Sequence, residues 1–392
     1  LELAGGEAQR ITNWVTGARA PRFSPDGRSI LFIGLAYPGA SNDEENRKAA
    51  DERKARKYNV RAYDSFPIRH WDRWLDDLRP TLVVQTVDGA APARDLLAGS
   101  ALRGERGFGG NLGQSGETIE AAWTPDGKGI VFAATTDRDA AARTEVLDSL
   151  WLVSLEGGEP RRLTGTEGDY SAPSFTDDGQ TLLAKVRPAS DRYVYKAARL
   201  VSWSWPSAGQ RRVLTADFDE SVGDYAAAPD SRRVLFLAER AGHTQLFEAS
   251  LAGGRPTGLG KLDSGTYSRL AAGGPADAPV VAALWSSATS PHEVGRIDPA
   301  TGRWSALSAF NAERAAAIDW LPVEEFWFDS KRGKRIHSLL VRPPAFDPDR
   351  KYPLFVLIHG GPHGMWKDDF IFRWNYHLLA QPGYVLLLTN YS

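Results

Sequence analysis

The chain has 392 residues, 42% of them hydrophobic and 24% charged, with a formal net charge of −2 and no cysteine. That length calls for two units, or a repeat array with a further module. The balanced charge argues against nucleic acid or an anionic membrane surface as a partner, and the missing cysteine excludes disulfides, cysteine nucleophiles and thiolate metal sites. No apolar run reaches the roughly 18 residues of a membrane helix, so no membrane partner is expected. The 38 glycines, 24 prolines and 13 tryptophans point instead to many tight turns with aromatic residues packed between short strands.

Taken in chain order, residues 1–12 read like the outer hairpin of a repeat, by comparison with residues 152–164, and imply that the chain starts within one. A turn signal followed by an aliphatic run comes next: Ser24-Pro25-Asp26-Gly27 before residues 30–33. It returns as Thr124-Pro125-Asp126-Gly127, Thr176-Asp177-Asp178-Gly179, Ala228-Pro229-Asp230-Ser231 and a degraded Gly274-Pro275-Ala276-Asp277. Proline presets φ, Asp caps the turn through its side chain and Gly accepts positive φ, so each copy predicts a hairpin. A second hairpin follows each, over residues 82–96, 150–163, 200–214, 246–259 and 294–307. Four strands recurring at roughly 50 residues are the pattern of β-propeller blades, and five are counted.

The first two turns are separated by an insertion over residues 38–80. Residues 43–57 form a charge run with Glu44/Lys48 and Glu52/Arg56 at helical spacing, which predicts a solvated helix. Beyond it, Trp71, Trp74, Leu75 and Leu78 fall on one helical stripe, predicting a short helix packed onto the sheets. The alternative is a substrate-facing wall built from Trp71, Asp72 and Trp74.

After Phe310 the repeat stops, and residues 311–323 read as a linker. Residues 325–329 and 336–341 predict two strands joined by the charged turn at 330–334 and ended by Pro343-Pro344. Residues 354–358 are a continuous apolar run, as expected of a strand buried on both faces, emptying into His359-Gly360-Gly361-Pro362-His363-Gly364. A helix over 370–381 and a strand over 384–389 complete a β-α-β unit. His359 and His363 stand four apart, but Gly-Gly-Pro between them cannot hold a helix and no third ligand is near, so no metal and no cofactor is expected.

The segment Lys351-Tyr352-Pro353-Leu354-Phe355-Val356-Leu357-Ile358-His359-Gly360-Gly361-Pro362-His363 resembles the entry to the hydrolase domain of prolyl oligopeptidase-family serine peptidases. The likeness is to the acylaminoacyl-peptidase and bacterial dipeptidyl-aminopeptidase branch. Thr389-Asn390-Tyr391-Ser392 and Arg69-His70-Trp71-Asp72-Arg73-Trp74 resemble, respectively, a later strand end and the first-blade insertion of that branch. The resemblance implies an all-β propeller over residues 1–320, seven-bladed with its first blade incomplete, followed by the N-terminal part of an α/β-hydrolase domain over 321–392.

In α/β-hydrolases one oxyanion-hole N–H follows the nucleophile and another comes from a glycine-rich loop after the third strand. The resemblance assigns that second role to Gly360 or Gly361, more readily Gly361; the bland alternative is a tight turn. It also puts His359, His363 and Tyr391, with Trp71, Trp74 and Asp72, around the substrate. No Gly-x-Ser-x-Gly elbow is found, since Gly113-Gln114-Ser115-Gly116-Glu117 fails at its last position. The Ser, Asp and His of a triad are therefore expected on a remaining hydrolase fragment, a partner alongside short peptide substrates. Dipeptidyl and acylaminoacyl activities compete, the former needing an acidic anchor that Asp72, Asp76 and Asp77 could supply. A non-catalytic propeller interaction module and an esterase remain the alternatives. Homo-oligomerisation is left open, and the resemblance favours a periplasmic or secreted address over a cytoplasmic one.

Overall fold

The structure, a computed structural model, describes residues 5–63, 66–113, 116–190, 195–361 and 364–390. The chain is mostly β and divides into two compact units, Leu1–Arg192 with Val201–Arg212, and Tyr193–Leu200 with Val213–Ser392. The units do not follow the change of sequence pattern near residue 320: the second holds two repeat sheets as well as the terminal module.

The first unit contains two complete four-stranded antiparallel sheets and most of a third. The first sheet runs Arg19–Phe23, Ser29–Ala36, Arg79–Thr86, Arg94–Asp95, and the second Glu120–Trp123, Gly129–Ala134, Ser149–Ser154, Arg161–Arg162. The third begins with Gly168–Phe175 and Thr181–Pro188. The predicted turns join the first two strands of each sheet for the anticipated reason. Asp126 accepts from the Thr124 hydroxyl (2.6 Å) and the Lys128 N–H (3.0 Å), while Gly127 takes φ +67°. Ser24 with Asp26, and Thr176 with Asp178, repeat the first bond at 2.6 Å. The strand after each turn is apolar on both faces. Leu31, Leu82, Phe108, Ile130 and Phe132 are buried in one core with Leu96 and Leu97, each such side chain contributing about 1.5–3 kcal/mol.

Two expectations in this unit are overturned. The described residues of the opening segment, 5–12, form no strand; Ile11 instead gives its carbonyl to the Gln85 side chain (2.8 Å). A strand needs a backbone partner, and this stretch is held by a side chain. The stripe at 71–78 is no helix either. Arg69–His70 pairs with Arg73–Trp74 as a hairpin, Trp71 sits at its tip with φ +52°, and Trp71 and Trp74 are 72% and 56% exposed. A left-handed tryptophan cannot continue a right-handed helix, so the apolar spacing has no common face and the core-packing reading fails.

The helix Asp43–Lys54 forms as expected, capped by Asn42 and ordered by acidic residues in its first turn and basic ones in its last. Its ion pair within the helix, among the described residues, is Arg47 with Asp43 (2.8 Å) rather than the pairs read from spacing. Fully buried Asn46, which accepts from the Tyr37 N–H (2.8 Å), ties it down.

The second unit carries two further antiparallel sheets: Val222–Ala227, Arg233–Arg240, His243–Ser250, Thr257–Gly258, and Thr266–Gly273, Val280–Ser287, Ser290–Ile297, Trp304–Ala306. A terminal mixed sheet follows, in the order Glu324–Asp329, Arg335–Val341, Val385–Thr389, Leu354–Leu357. Its last pair is parallel and its others antiparallel. Among the described residues the connection between the parallel strands holds one short helix, Tyr376–Ala380, whose Tyr376 and Ala380 pack with Leu339, Val341, Leu386 and Leu388.

That helix is shorter than the predicted 370–381. Asp368 and Asp369, just ahead of it, are drawn into bonds with the fifth repeat sheet, so the turn begins only at the Asn375 cap. Among the described residues the apolar strand Leu354–Leu357 pairs with Val385–Thr389 on one side, and Leu354, Phe355 and Val356 are exposed.

Candidate active site

Leu354–Leu357 is the third strand of the terminal sheet in chain order, and it delivers the chain into the glycine loop. Gly360 and Gly361 are exposed there. A Cβ added to Gly360 would meet nothing within 4 Å. Gly361 has φ +125°, a region that a side chain would strain. The Gly364 N–H returns to the Gly360 carbonyl (3.3 Å), and His359 sets Nδ1 3.2 Å from that same oxygen. Neither the Gly360 nor the Gly361 N–H donates to another described residue. His359, Gly360 and Gly361 are thus brought together in one open loop, while His363 and Tyr391 lie outside the described residues.

Trp71, Asp72 and Trp74 belong to the first unit, on the exposed hairpin. The suggested acidic cluster there is partly committed: Asp76 caps the Leu78 N–H (3.0 Å) and Asp77 pairs with Arg53. Ser115, from the failed elbow motif, is outside the described residues. Among the described residues no group of three His, Asp or Glu is arranged to hold a metal ion. An open cleft of about 400 Å³ lined by Trp320, Phe370, Phe372 and Leu378 contains none of residues 359–361.

Behind the loop stands a polar network that the sequence did not disclose. Buried Asn390 accepts from the Trp366 N–H (2.7 Å) and donates to the Trp366 carbonyl (3.1 Å). Its amide also donates to Nδ1 of buried His337 (3.0 Å), which fixes the His337 proton on Nε2. The Trp366 indole N–H donates to the Leu357 carbonyl (3.1 Å). His337 Nε2 lies 3.6 Å from Glu325, beyond a hydrogen bond, whereas His243 Nε2 reaches the other Glu325 oxygen at 2.8 Å.

His243 Nδ1 meanwhile faces the Gly265 carbonyl at 2.7 Å. With acceptors at both nitrogens, the ring is favoured as an imidazolium. Burial opposes the charge, but the Glu325 and Gly265 bonds prevail and raise its pKa above the ordinary value. Glu325 correspondingly falls to about 2, through His243 first and His337 second.

The hairpin tip Ala241-Gly242 presses on the same place. A Cβ on Gly242, which has φ +78°, would fall 2.5 Å from His337 Cε1, and the Gly242 carbonyl accepts from the Asp368 N–H (2.9 Å). The Asp368 carboxylate takes the Gly265 N–H (2.6 Å) and the Ala288 N–H (2.8 Å). Within the second unit, His243 therefore joins the fourth repeat sheet to Glu325 of the terminal sheet, while Asp368 is bonded to backbone at Gly242, Gly265 and Ala288. Strand alternation alone could have suggested an inward-facing His337; nothing local marks Asn390 or Asp368.

No family model matches the chain. Among curated proteins it is 26% identical over 389 residues to dipeptidyl-peptidase 5 of Porphyromonas gingivalis, covering 94% of this chain and 51% of that protein. It is 26% identical over 349 residues to dipeptidyl-peptidase 5 of Schizosaccharomyces pombe, covering 85% and 48%. Among solved structures, an acylaminoacyl peptidase in complex with Z-Gly-Gly-Phe-chloromethyl ketone aligns with a TM-score of 0.71 at 17% identity, over 99% of this chain and 53% of that one. These likenesses support a peptidase of the prolyl oligopeptidase family. It spans about half the length of the curated relatives it matches, and the structural likeness at 17% identity is one of fold.

Proposed function

We propose that this chain is part of a serine-type peptidase of the prolyl oligopeptidase family that releases dipeptides or acylated amino acids from the N-termini of short peptides. In this reading the repeated four-stranded sheets of residues 1–320 are a β-propeller that filters substrates by size. Residues 321–392 are the start of an α/β-hydrolase domain, and the nucleophile, its histidine and its acid come from further polypeptide. Serine attack on the scissile carbonyl forms a tetrahedral oxyanion, the acyl-enzyme follows as the amine leaves, and water releases the product. One oxyanion donor is the Gly361 or Gly360 N–H, a type of contact worth about 10²–10³ in rate.

The observation that carries the reading is a third strand ending in an open glycine loop, with Gly361 at positive φ, whose Gly360 and Gly361 N–H groups donate to no described residue. The names of its relatives, dipeptidyl-peptidase 5 and acylaminoacyl peptidase, support the same chemistry. His359, His363 and Tyr391 would contact substrate; Trp71, Asp72 and Trp74 are proposed separately as substrate contacts. A periplasmic or secreted address goes with this proposal.

The full-length protein should be assayed with free dipeptidyl, N-acyl-aminoacyl and simple ester substrates, with and without a serine-directed phosphonate. Turnover of a peptide substrate, abolished by the phosphonate, is the expected result. Ester turnover or phosphonate labelling with every peptide left intact would reject the peptidase reading.

A further inference from the structure

We infer that Asn390 and Trp366 are positioning residues that aim the Gly360 and Gly361 amides, an inference that rests on the oxyanion role proposed for that loop. An oxyanion donor works only if its N–H is held where charge develops, to within a fraction of an ångström. A glycine loop has little such rigidity of its own, because glycine carries the largest backbone entropy of any residue. The restraint has to come from outside the loop.

The geometry supplies it at both ends. The side-chain amide of Asn390 pairs with both backbone polar groups of Trp366, at 2.7 and 3.1 Å, much as a neighbouring strand would. Trp366 then reaches back nine residues with its indole N–H to the Leu357 carbonyl (3.1 Å), the last residue before the loop. Its ring stands edge-on to Tyr376, 5.9 Å between centroids, so the indole cannot swing freely. Asn390 in turn is fixed to the inner strand of the sheet, donating its backbone N–H to the His337 carbonyl (3.0 Å) and its amide to His337 Nδ1 (3.0 Å). A continuous line of directed bonds therefore runs from Arg335–Val341 through Asn390 and Trp366 to Leu357, and closes the segment that carries the two glycines.

Asn390 and Trp366 touch no reacting atom in this arrangement, so their effect should be on the donors alone. Two measurements on the full-length protein test this. Trp366→Phe keeps the ring and removes only the N–H to Leu357; Asn390→Asp keeps the acceptor for the Trp366 N–H and removes both amide donations. For Trp366→Phe, amide hydrogen exchange at residues 358–361 should rise by about tenfold or more, with the amides of Arg335–Val341 unchanged, since local opening is what the bond restrains.

In the phosphonate-sensitive peptidase assay kcat should fall by about tenfold at unchanged KM, because an oxyanion donor acts on the transition state and not on bound substrate. Asn390→Asp should fall between wild type and Asn390→Leu in both readouts. Unchanged exchange at 358–361 in Trp366→Phe overturns the inference, as does a loss of kcat that merely tracks a lowered melting temperature. If the wild-type protein turns over nothing, the proposed function fails by itself, and the exchange comparison still decides whether these two residues hold the loop.

Discussion

The repeat turns and the glycine loop are built on opposite plans. Each turn is closed by neighbours in sequence: Thr124, Asp126 and Gly127 satisfy one another within a few residues, and Ser24 with Asp26 does the same. Among its described residues the loop at 358–364 has one internal backbone bond, Gly364 to Gly360, and it is flanked by Trp366, Asn390 and His337, the last more than 50 residues away from Asn390. Local closure makes a turn legible and robust; distant support makes a loop adjustable and fragile, which suits a place where chemistry is to be done.

Substitutions at the two kinds of site should therefore differ widely, and the largest effect tests the comparison hardest. Gly242→Ala forces a Cβ into the His337 ring at a φ of +78°. It should cost about 3 kcal/mol through strain and displaced packing, read as a lowered urea midpoint. A cost no greater than that of any exposed turn substitution would mean the junction is not tightly packed. Asp368→Ala comes next. It strands the buried N–H groups of Gly265 and Ala288 and should cost about 2 kcal/mol, with faster exchange at those two amides as the specific sign.

Glu325→Gln sharpens the comparison through pH. Glu325 has its pKa depressed from 4.5 to about 2, so its contribution is present above the ordinary value and lost as pH falls toward 2. His243 has its pKa raised from 6.5, so its contribution is full below 6.5 and lost as pH rises through the raised value. The pair should stabilise most between about pH 4.5 and 6.5. Glu325→Gln should flatten the unfolding midpoint against pH on both sides, by no more than about 1 kcal/mol because Glu325 is partly solvated. Asp126→Ala should have the smallest effect, about 0.5 kcal/mol, since Thr124 still bonds to Gly129 (2.9 Å) and Gly127 still makes the turn. A larger loss there than at Asp368 would invert the argument.

The errors of sequence reading follow the same division. The period of the repeats, the turn chemistry and the β-α-β order at the end were all readable, because each is encoded by residues adjacent in the chain. The stripe Trp71, Trp74, Leu75 and Leu78 was misread because spacing reports which residues could share a face, not whether anything covers it; the backbone turns at Trp71 instead. The strand at Leu354–Leu357 was legible as a strand from its apolar run. The glycine loop was singled out through a family resemblance, but the side chains behind it were not anticipated.

What the sequence determined by itself is the set of elements: short hairpins where Asp and Gly solve φ and hydrogen-bonding demands locally, and apolar runs that must be strands. Only the tertiary structure decided which of these are covered and which polar groups meet, as with Asn390, Trp366 and His337. Their bonds join positions far apart in the chain, and one amide or imidazole has no local signature until folding supplies its partner.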